Sequence, residues 1–561
     1  MQKNNKFPFR LVTAALLIIA LLKVMTLYAC SNPAASPDAN RYGGAVDTSK
    51  ADSAAVAKTE AGSAAVAKTD AADGAAAPVT DGAAAPITEG AAMPGTSNMP
   101  TLIWLMGNPG LIPEDQELVE AELNKISAEK AGVKMKTVFY DDAGIKLALT
   151  SGEPWDIAFT CEWFNNYAVQ AQAGYFADLT DKIKTVTPKL YATMPDVVWK
   201  GTEVQGKIFA VPTKKDYAAE MFFMFDKALF VDALGMDVPA TMSFFDVEGW
   251  LKAAKDAYNA GNPAAAQAEF PLKLTDGGLA GFDSEYDMIN REVMLGIPYS
   301  AVGTPDENKV VLVPESPDFL VRLQALRNWY LAGYINQDAA TINDAGRYSA
   351  VKIGQGFYGA DAIWSASSGY TVLTSRYNGP YLSTASIRGS LNGINVKSAN
   401  VDLALKYLEL VNTDQKYRDI LRYGIEGTHW NRTPEGLVKK TQAGLDKYGV
   451  WAFSQGSYSL SSVEAADGVS VDPNMWNVVF DGYKDALATN TIGFSFDISK
   501  VEPQVAACSA VKQKYWIGLS CGALDPSETM PVFIRELETA GIRDIQAECQ
   551  AQLDAFIAAK Q

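Results

Sequence analysis

The chain holds a single histidine in 561 residues, and that scarcity excludes much chemistry. No site with two or more histidine ligands can be built, so neither an HExxH zinc centre nor a two-histidine, one-carboxylate iron site is available. Any Ser-His-Asp or Cys-His machinery would have to use His429. Cysteine is scarce too, at five, and no CxxC pair occurs, which argues against zinc and against a thioredoxin-like centre. Positive charge is short: 48 Lys and Arg face 65 Asp and Glu, for a net charge of −17. A nucleic-acid binder needs a basic face to displace counterions, and docking the body on anionic lipid needs the same. GxxxxGK[ST] does not occur, so that phosphate-cradling loop is missing. Asp283, Glu285 and Asp287 mimic the start of a calcium loop, but Met288 stands where that loop requires glycine. The sequence therefore calls for no metal and no cofactor.

What is present begins with an address. Lys3, Lys6 and Arg10 precede an apolar run from Leu11 to Leu22, the pattern of an export signal. Lys23 interrupts the run, which is short for a membrane-spanning helix. Leu27-Tyr28-Ala29-Cys30 is similar to a bacterial lipobox, in which the cysteine is diacylglycerol-modified and becomes the first mature residue. Residues 1–29 are accordingly expected to be a lipoprotein signal peptide, with Cys30 lipidated; an uncleaved anchor is the alternative.

Residues 30–98 read as an Ala-rich tether. Ser53-AAVAKT recurs at Ser63, and Asp73-GAAAP and Asp81-GAAAP follow at a period of eight. Such a segment has little to bury and cannot offset the entropy of ordering. As a flexible coil its mean reach is about 45 Å. The signal carries four basic groups and the stalk four more acids than bases, so the body from Met99 onward keeps the full negative charge.

The body opens as an α/β pattern. Thr101 to Met106 is a short buried strand, and Gly107-Asn108-Pro109-Gly110 breaks it. A helix begins near Pro113-Glu114-Asp115. Val133 to Tyr140 alternates as a second strand, and Trp155 to Thr160 forms a third. Lys207 to Pro212 is extended and Met221 to Phe225 is a dense apolar strand. Helices follow at 319–332, at 401–411 and, at the C-terminus, over 542–556. Short strands alternating with helices imply a mostly parallel sheet. Gly277-Gly278 and Gly354-Gln355-Gly356 read as turns.

The order of these motifs carries a resemblance. Trp155-DIAFTCEW-Trp163 with Tyr175-FADLT-Thr180, Gly206-KIFAVP-Pro212 with Met221-FFMFDK-Lys227, Tyr358-GADAIW-Trp364, and Ile394-NVKSANVDLALKYLELV-Val411 resemble bacterial extracellular solute-binding lipoproteins of carbohydrate ABC importers. Tyr423-GIEGTHW-Trp430, Gly493-FSFD-Asp497 and Asp544-IQAECQAQLDAF-Phe556 are similar to the subgroup with a C-terminal domain of uncharacterised function. The resemblance implies a two-lobed, periplasmic-binding-protein-like α/β fold with an interlobe cleft and crossing hinge strands. Lobe one is expected at 99–213 and 380–415, and lobe two at 214–379 and 416–561. It also implies a monomer, lipid-anchored at the extracellular face of the cytoplasmic membrane, that takes an oligosaccharide and hands it to an ABC permease.

A sugar site needs aromatic platforms rimmed by polar groups. Trp163 ends the third strand beside Glu162, and Trp364 follows a glycine-rich run. Trp430 shares a turn with Glu426 and His429. Asn108 follows the first strand, and Asp216 and Tyr217 lie near the first crossing. These nine are the candidate ligand contacts; packing within the core is the competing reading of each. Trp104 and Trp155 read as core. Cys508 and Cys521 enclose twelve residues of loop-like sequence and are the preferred disulfide, with free buried thiols as the alternative. An extracellular glycan-active enzyme, or a peptide-binding surface receptor, remains the rival function.

Overall fold

The computed structural model describes residues 99–108, 112–346, 348–466 and 468–560; the expected signal, Cys30 and the whole tether lie outside the described residues. In chain order the strands of the two principal sheets are β1 (Thr101–Gly107), β2 (Lys134–Tyr140), β3 (Ile157–Thr160), β4 (Ala210–Pro212), β5 (Ala219–Asp226), β6 (Val351–Gly356), β7 (Val372–Leu382), β8 (Leu391–Ile394) and β9 (Leu487–Ala488).

The first sheet runs β2-β1-β3-β8-β4. β1 pairs in parallel with β2 and β3, while β8 is antiparallel to β3 and β4. Trp104 is fully buried on β1, and its indole N–H donates to Asn392 Oδ1 on β8 at 2.9 Å. Trp155 is buried as well. Helix α1 (Gln116–Ala131) turns Val119 and Leu123 into this core and ends at Gly132 in the left-handed conformation. Helix α2 (Asp196–Thr202) packs near β4, and α3 (Val401–Thr413) and α4 (Gln415–Tyr423) both pack on α1.

The last of these contacts corrects the expected lobe boundary. Residues 416–455, assigned to lobe two from the resemblance, join the first lobe instead. Lys447 reaches Glu114 at 2.8 Å, and the turn at Ala452–Gln455 lies against β1, β3 and β8. The reason is non-local: α4 continues the apolar face that α3 offers to α1, which no pattern within 416–455 announces.

The second sheet runs β6-β5-β7-β9, with β5 antiparallel to both neighbours and β9 parallel to β7. The expectation of a mostly parallel sheet thus holds only for β1 to β3 and the short β7–β9 pair. Apolar runs of buried strands look alike in either direction, so periodicity does not reveal it. Both faces of β5 are covered. Phe223 and Phe225 enter one core with Phe319 and Trp329, and Phe222 and Met224 enter another with Trp364. That double burial explains the unbroken apolar run. Helices α5 (Glu502–Ser520), α6 (Pro526–Thr539) and α7 (Ile542–Ala558) complete the first of these cores.

The chain passes between the two bodies three times. Residues 213–218 lead from β4 to β5, and Ser383 leads from β7 into the short helix Thr384–Ile387. The return begins near Ser459, whose N–H donates to Lys214 O of the first crossing at 3.0 Å. It ends at β9.

Gly354-Gln355-Gly356, read as a turn, lies inside β6. Glycine in a strand marks a close approach, and here the neighbour is the Trp364 ring. A Cβ added at Gly356 would sit 2.3 Å from it. Gly356→Ala is therefore expected to destabilise the fold by about 1–3 kcal/mol through overpacking. A lowered midpoint in urea unfolding checks this, and an unchanged midpoint contradicts it.

The expected Cys508–Cys521 bridge is also corrected. The segment is a helix, not a loop: Cys508 lies within α5 and Cys521 caps it. Thirteen helical positions span about 20 Å, far beyond the reach of a disulfide. Cys161, Cys508, Cys521 and Cys549 are free and buried. Burial pushes the Cys508 thiol up to about 11 and those of Cys521 and Cys549 up to about 12, so they stay protonated. In the native protein all four are expected to resist an aromatic disulfide reagent at neutral pH and to react once denaturant is added. Recovery of only two of them after unfolding would restore the bridge.

Candidate functional site

Open α/β sheets bind ligands beyond the carboxyl ends of their strands. At that edge of the first sheet β3 ends in Cys161-Glu162-Trp163, and the antiparallel β8 begins just after Arg388. The N–H of Glu162 donates to Arg388 O at 3.0 Å, which ties the two segments together. Trp163 is 42% exposed although it belongs to an aromatic cluster. Its ring meets those of Phe164, Trp451 and Phe453, each with centroids 6.0 Å away. Trp451 and Phe453 are buried and stack on each other at 5.4 Å. The outer indole is thus braced from behind and open in front.

Polar groups gather near the same strand ends. Lys215 lies against Gly389, and its ammonium pairs with Asp216 Oδ1 at 2.7 Å; both side chains are largely buried. Gln355 Nε2 of β6 stands 3.5 Å from Asp216 Oδ2, so the second body reaches the same corner. Glu162 lies within electrostatic reach of Arg388 on its own side and of Asp287 across the divide. Burial raises the Asp287 carboxyl above its usual range, and hydroxyl donors from Thr489 and Thr491 partly offset this. Burial also raises Glu220 on β5, against the pull of Arg376 at 2.6 Å.

The candidate residues divide clearly. Glu162, Trp163 and Asp216 come together at the strand ends. Tyr217 is buried beside them, stacked on Phe480 at 5.6 Å. Asn108 is buried at the end of β1, with its amide 3.5 Å from Gly449 O, beneath the segment that carries Trp451. Trp364, expected to face the cleft, packs inside the second body, 7% exposed, edge-on to Phe222 at 6.1 Å. The remaining trio does not form a ligand corner. Trp430 is buried, and its indole N–H donates to Gly424 O at 2.9 Å. His429 is fully buried. Its Nδ1 accepts from the Ile425 N–H at 2.9 Å, which leaves the proton on Nε2 to donate to Asp115 Oδ2 at 3.1 Å. Glu426 is exposed, 3.8 Å from Arg432. The sole histidine is therefore a brace between the start of α1 and the turn after α4, with both ring nitrogens engaged.

The acids resembling a calcium loop do not converge. Asp283 pairs with Arg291, Glu285 with Arg322, and Asp287 accepts from the two threonines. A cavity of about 490 Å³ lies elsewhere, on the flank lined by Lys184, Tyr191, Trp199 and Ile492. Its aromatic faces are used by one another: Tyr191 and Trp199 stack at 5.3 Å, and Lys184 covers the Tyr191 ring.

Sequence reasoning missed Trp451 and Phe453. They occupy a short 3-10 turn with no periodicity, and lie nearly 290 positions after Trp163. Only the WAF triplet itself, two aromatics spaced to face one way, hinted at them.

Comparisons with known proteins agree with this architecture. Residues 490–558 match the family model described as Domain of unknown function (DUF3502). A "Carbohydrate ABC transporter substrate-binding protein" of Streptococcus pneumoniae serotype 4 is 26% identical over 470 residues, covering 80% of this chain and 90% of that protein. Among solved structures, the N-glycan transport solute binding protein (NgtS) of Streptococcus pneumoniae superposes with a TM-score of 0.72 at 23% identity, over 82% of this chain and all of that one. An extracellular solute-binding protein of Bifidobacterium longum subsp. infantis gives a TM-score of 0.54 at 16% identity, over 82% of this chain and 99% of its own. The resemblance read from the motifs therefore stands, and the chain has the two-lobed α/β fold of the extracellular solute-binding proteins, with a DUF3502 segment as its C-terminal end.

Proposed function

We propose that this chain is an extracellular binding protein that captures an oligosaccharide between its lobes and delivers it to an ABC permease. The observation that carries the reading is Trp163: a large indole left 42% exposed while three aromatic neighbours hold it in place. A sugar ring presents a flat apolar face that such a surface accepts, and its hydroxyls need the donors and acceptors that Glu162 and Lys215-Asp216 supply. Relatives support the ligand class. NgtS of Streptococcus pneumoniae has been crystallised with Man1GlcNAc and with Man5GlcNAc.

Binding rather than catalysis is favoured by the fate of the one histidine, whose two nitrogens serve the fold. Closure of the two lobes over the ligand would couple binding to recognition by the permease. No helix among the described residues is long and apolar enough to cross a membrane. Attachment is assigned to lipidated Cys30, with residues 31–98 as the tether and the protein acting as a monomer.

Calorimetry with Man1GlcNAc and Man5GlcNAc, alongside a glycan array, tests the reading. Trp163→Ala is expected to weaken a confirmed sugar by about 30-fold, equivalent to about 2 kcal/mol. Trp364→Phe, a change inside the second body, should leave affinity within about twofold while lowering thermal stability. Equal losses in both variants would remove the platform assignment. Absence of any glycan ligand, with peptide capture instead, would overturn the function.

A further inference from the structure

The DUF3502 segment is not an appendage, and its first residues do something its helices do not. β9 ends at Ala488, beside Tyr381 and Leu382 of β7, where the second crossing begins. From there residues 489–495 leave the second lobe, run along the first, and return to α5. Thr489, Asn490, Thr491 and Phe494 fasten the segment to lobe two. Thr489 and Thr491 donate their hydroxyls to the same carboxylate oxygen of Asp287. Asn490 Nδ2 donates to Asn308 Oδ1 at 2.9 Å, and Phe494 packs on Phe556 of α7 at 5.4 Å.

Thr491, Gly493 and Ser495 of the same segment fasten it to lobe one. Thr384, the first residue beyond the crossing, donates its hydroxyl to Thr491 O at 2.9 Å and accepts from the Gly493 N–H at 3.0 Å. Gly493 passes so close to α2 that an added Cβ would lie 2.8 Å from Lys200 O. Arg388 Nη1 donates to Ser495 Oγ at 2.9 Å, while its other nitrogens bind Gly201 O and Glu203 O of the first lobe. Ile387 presses on Gly201, which seats the short helix on α2.

We infer that residues 489–495 form a strap that sets the angle between the lobes, so that Thr384, Thr491, Arg388 and Ser495 are positioning residues for closure. Rotation at the link between Leu382 and Thr384 has to stretch either the Thr384 bonds or the Asp287 bonds, because the strap is anchored on both sides of that link within a few residues. The stored contacts therefore favour the interlobe geometry seen here over any other. This gives the DUF3502 region a function in the binding cycle. It deepens the proposed binding role, yet it can be measured without any sugar.

The test uses spin labels at Leu147→Cys on the first lobe and Leu331→Cys on the second, both exposed positions; the four cysteines of the described body are buried. Interlobe distances are read by pulsed electron resonance on the ligand-free full chain. The parent is expected to give one narrow distribution. Thr384→Val should shift or broaden it, and Thr384→Ser, which keeps the hydroxyl, should restore it. Ser495→Ala, a smaller change, carries the same expectation should Thr384→Val fail to fold. Distributions that superpose on the parent in a folded Thr384→Val or Ser495→Ala protein would overturn the strap. Because no ligand is present, that failure is separate from a failure to bind oligosaccharide.

Discussion

A guanidinium buried where three chain segments meet constrains the rest of the molecule. Arg388 is 2% exposed, and the atoms it binds are two backbone carbonyls and a serine hydroxyl rather than a carboxylate. Burial lowers its pKa, and the Glu162 charge opposes this from a distance. Removing such a group from water is costly unless every donor is engaged. Gly201, Glu203 and Ser495 must therefore stand in register with Arg388 before the charge can be accommodated. Its own carbonyl in turn receives the Glu162 N–H, which places the loop that carries Trp163. One residue, through its side chain and its carbonyl, thus links the first lobe, the second crossing, the strap and the aromatic platform.

This arrangement explains why the platform can be both exposed and rigid. Trp163 has no backbone ladder to hold it, since β3 has already ended. Its position is set from behind by Trp451 and Phe453, which come from a segment that packs across the ends of β1, β3 and β8. Ser390 Oγ donates to Phe453 O at 2.6 Å and accepts from the Thr213 hydroxyl at 3.0 Å, so the same corner also fixes the start of the first crossing. Platform and hinge share their supports. A ligand that shifts one acts on the other through contacts already made.

The sequence disclosed the elements and concealed their partners. Thr101 to Met106, Val133 to Tyr140 and Met221 to Phe225 were legible because burial of strands writes apolar runs into the chain. The helix at 401–413 was legible through its spacing. The family motifs carried the two-lobed fold. By contrast, α5 read as a loop because its buried positions, Val505, Cys508, Leu519 and Ser520, make no continuous apolar stripe. His429 and Trp430 looked like a ligand corner because their polar atoms were visible and their acceptors were not. Asp115, which receives the His429 proton, lies more than three hundred positions earlier. Trp364 reads as a platform in sequence because its slot is made by absences, the missing side chains of Gly354 and Gly356. Local pattern reports what a residue is; the site depends on what distant residues leave room for.

The same reasoning bears on the C-terminal region. A segment matched as a domain of its own invites the view that it folds alone, but its apolar residues do not form a separate core. Phe494, Val505, Phe533, Ile545 and Leu553 lie in one cluster with Phe223, Phe225, Phe319 and Trp329. Removing residues 490–558 would expose one face of the second lobe, so the helices are a wall of that lobe and move with it. What distinguishes the region is then the stretch ahead of the helices, where Gly493 lets the backbone pass against Lys200 O at a place no side chain would allow. Through that stretch the helices welded to lobe two reach the first lobe. Its contacts with Thr384 and Arg388 make the link between the lobes a matter of a few hydrogen bonds, weak enough for ligand binding to overcome and specific enough to define a resting angle.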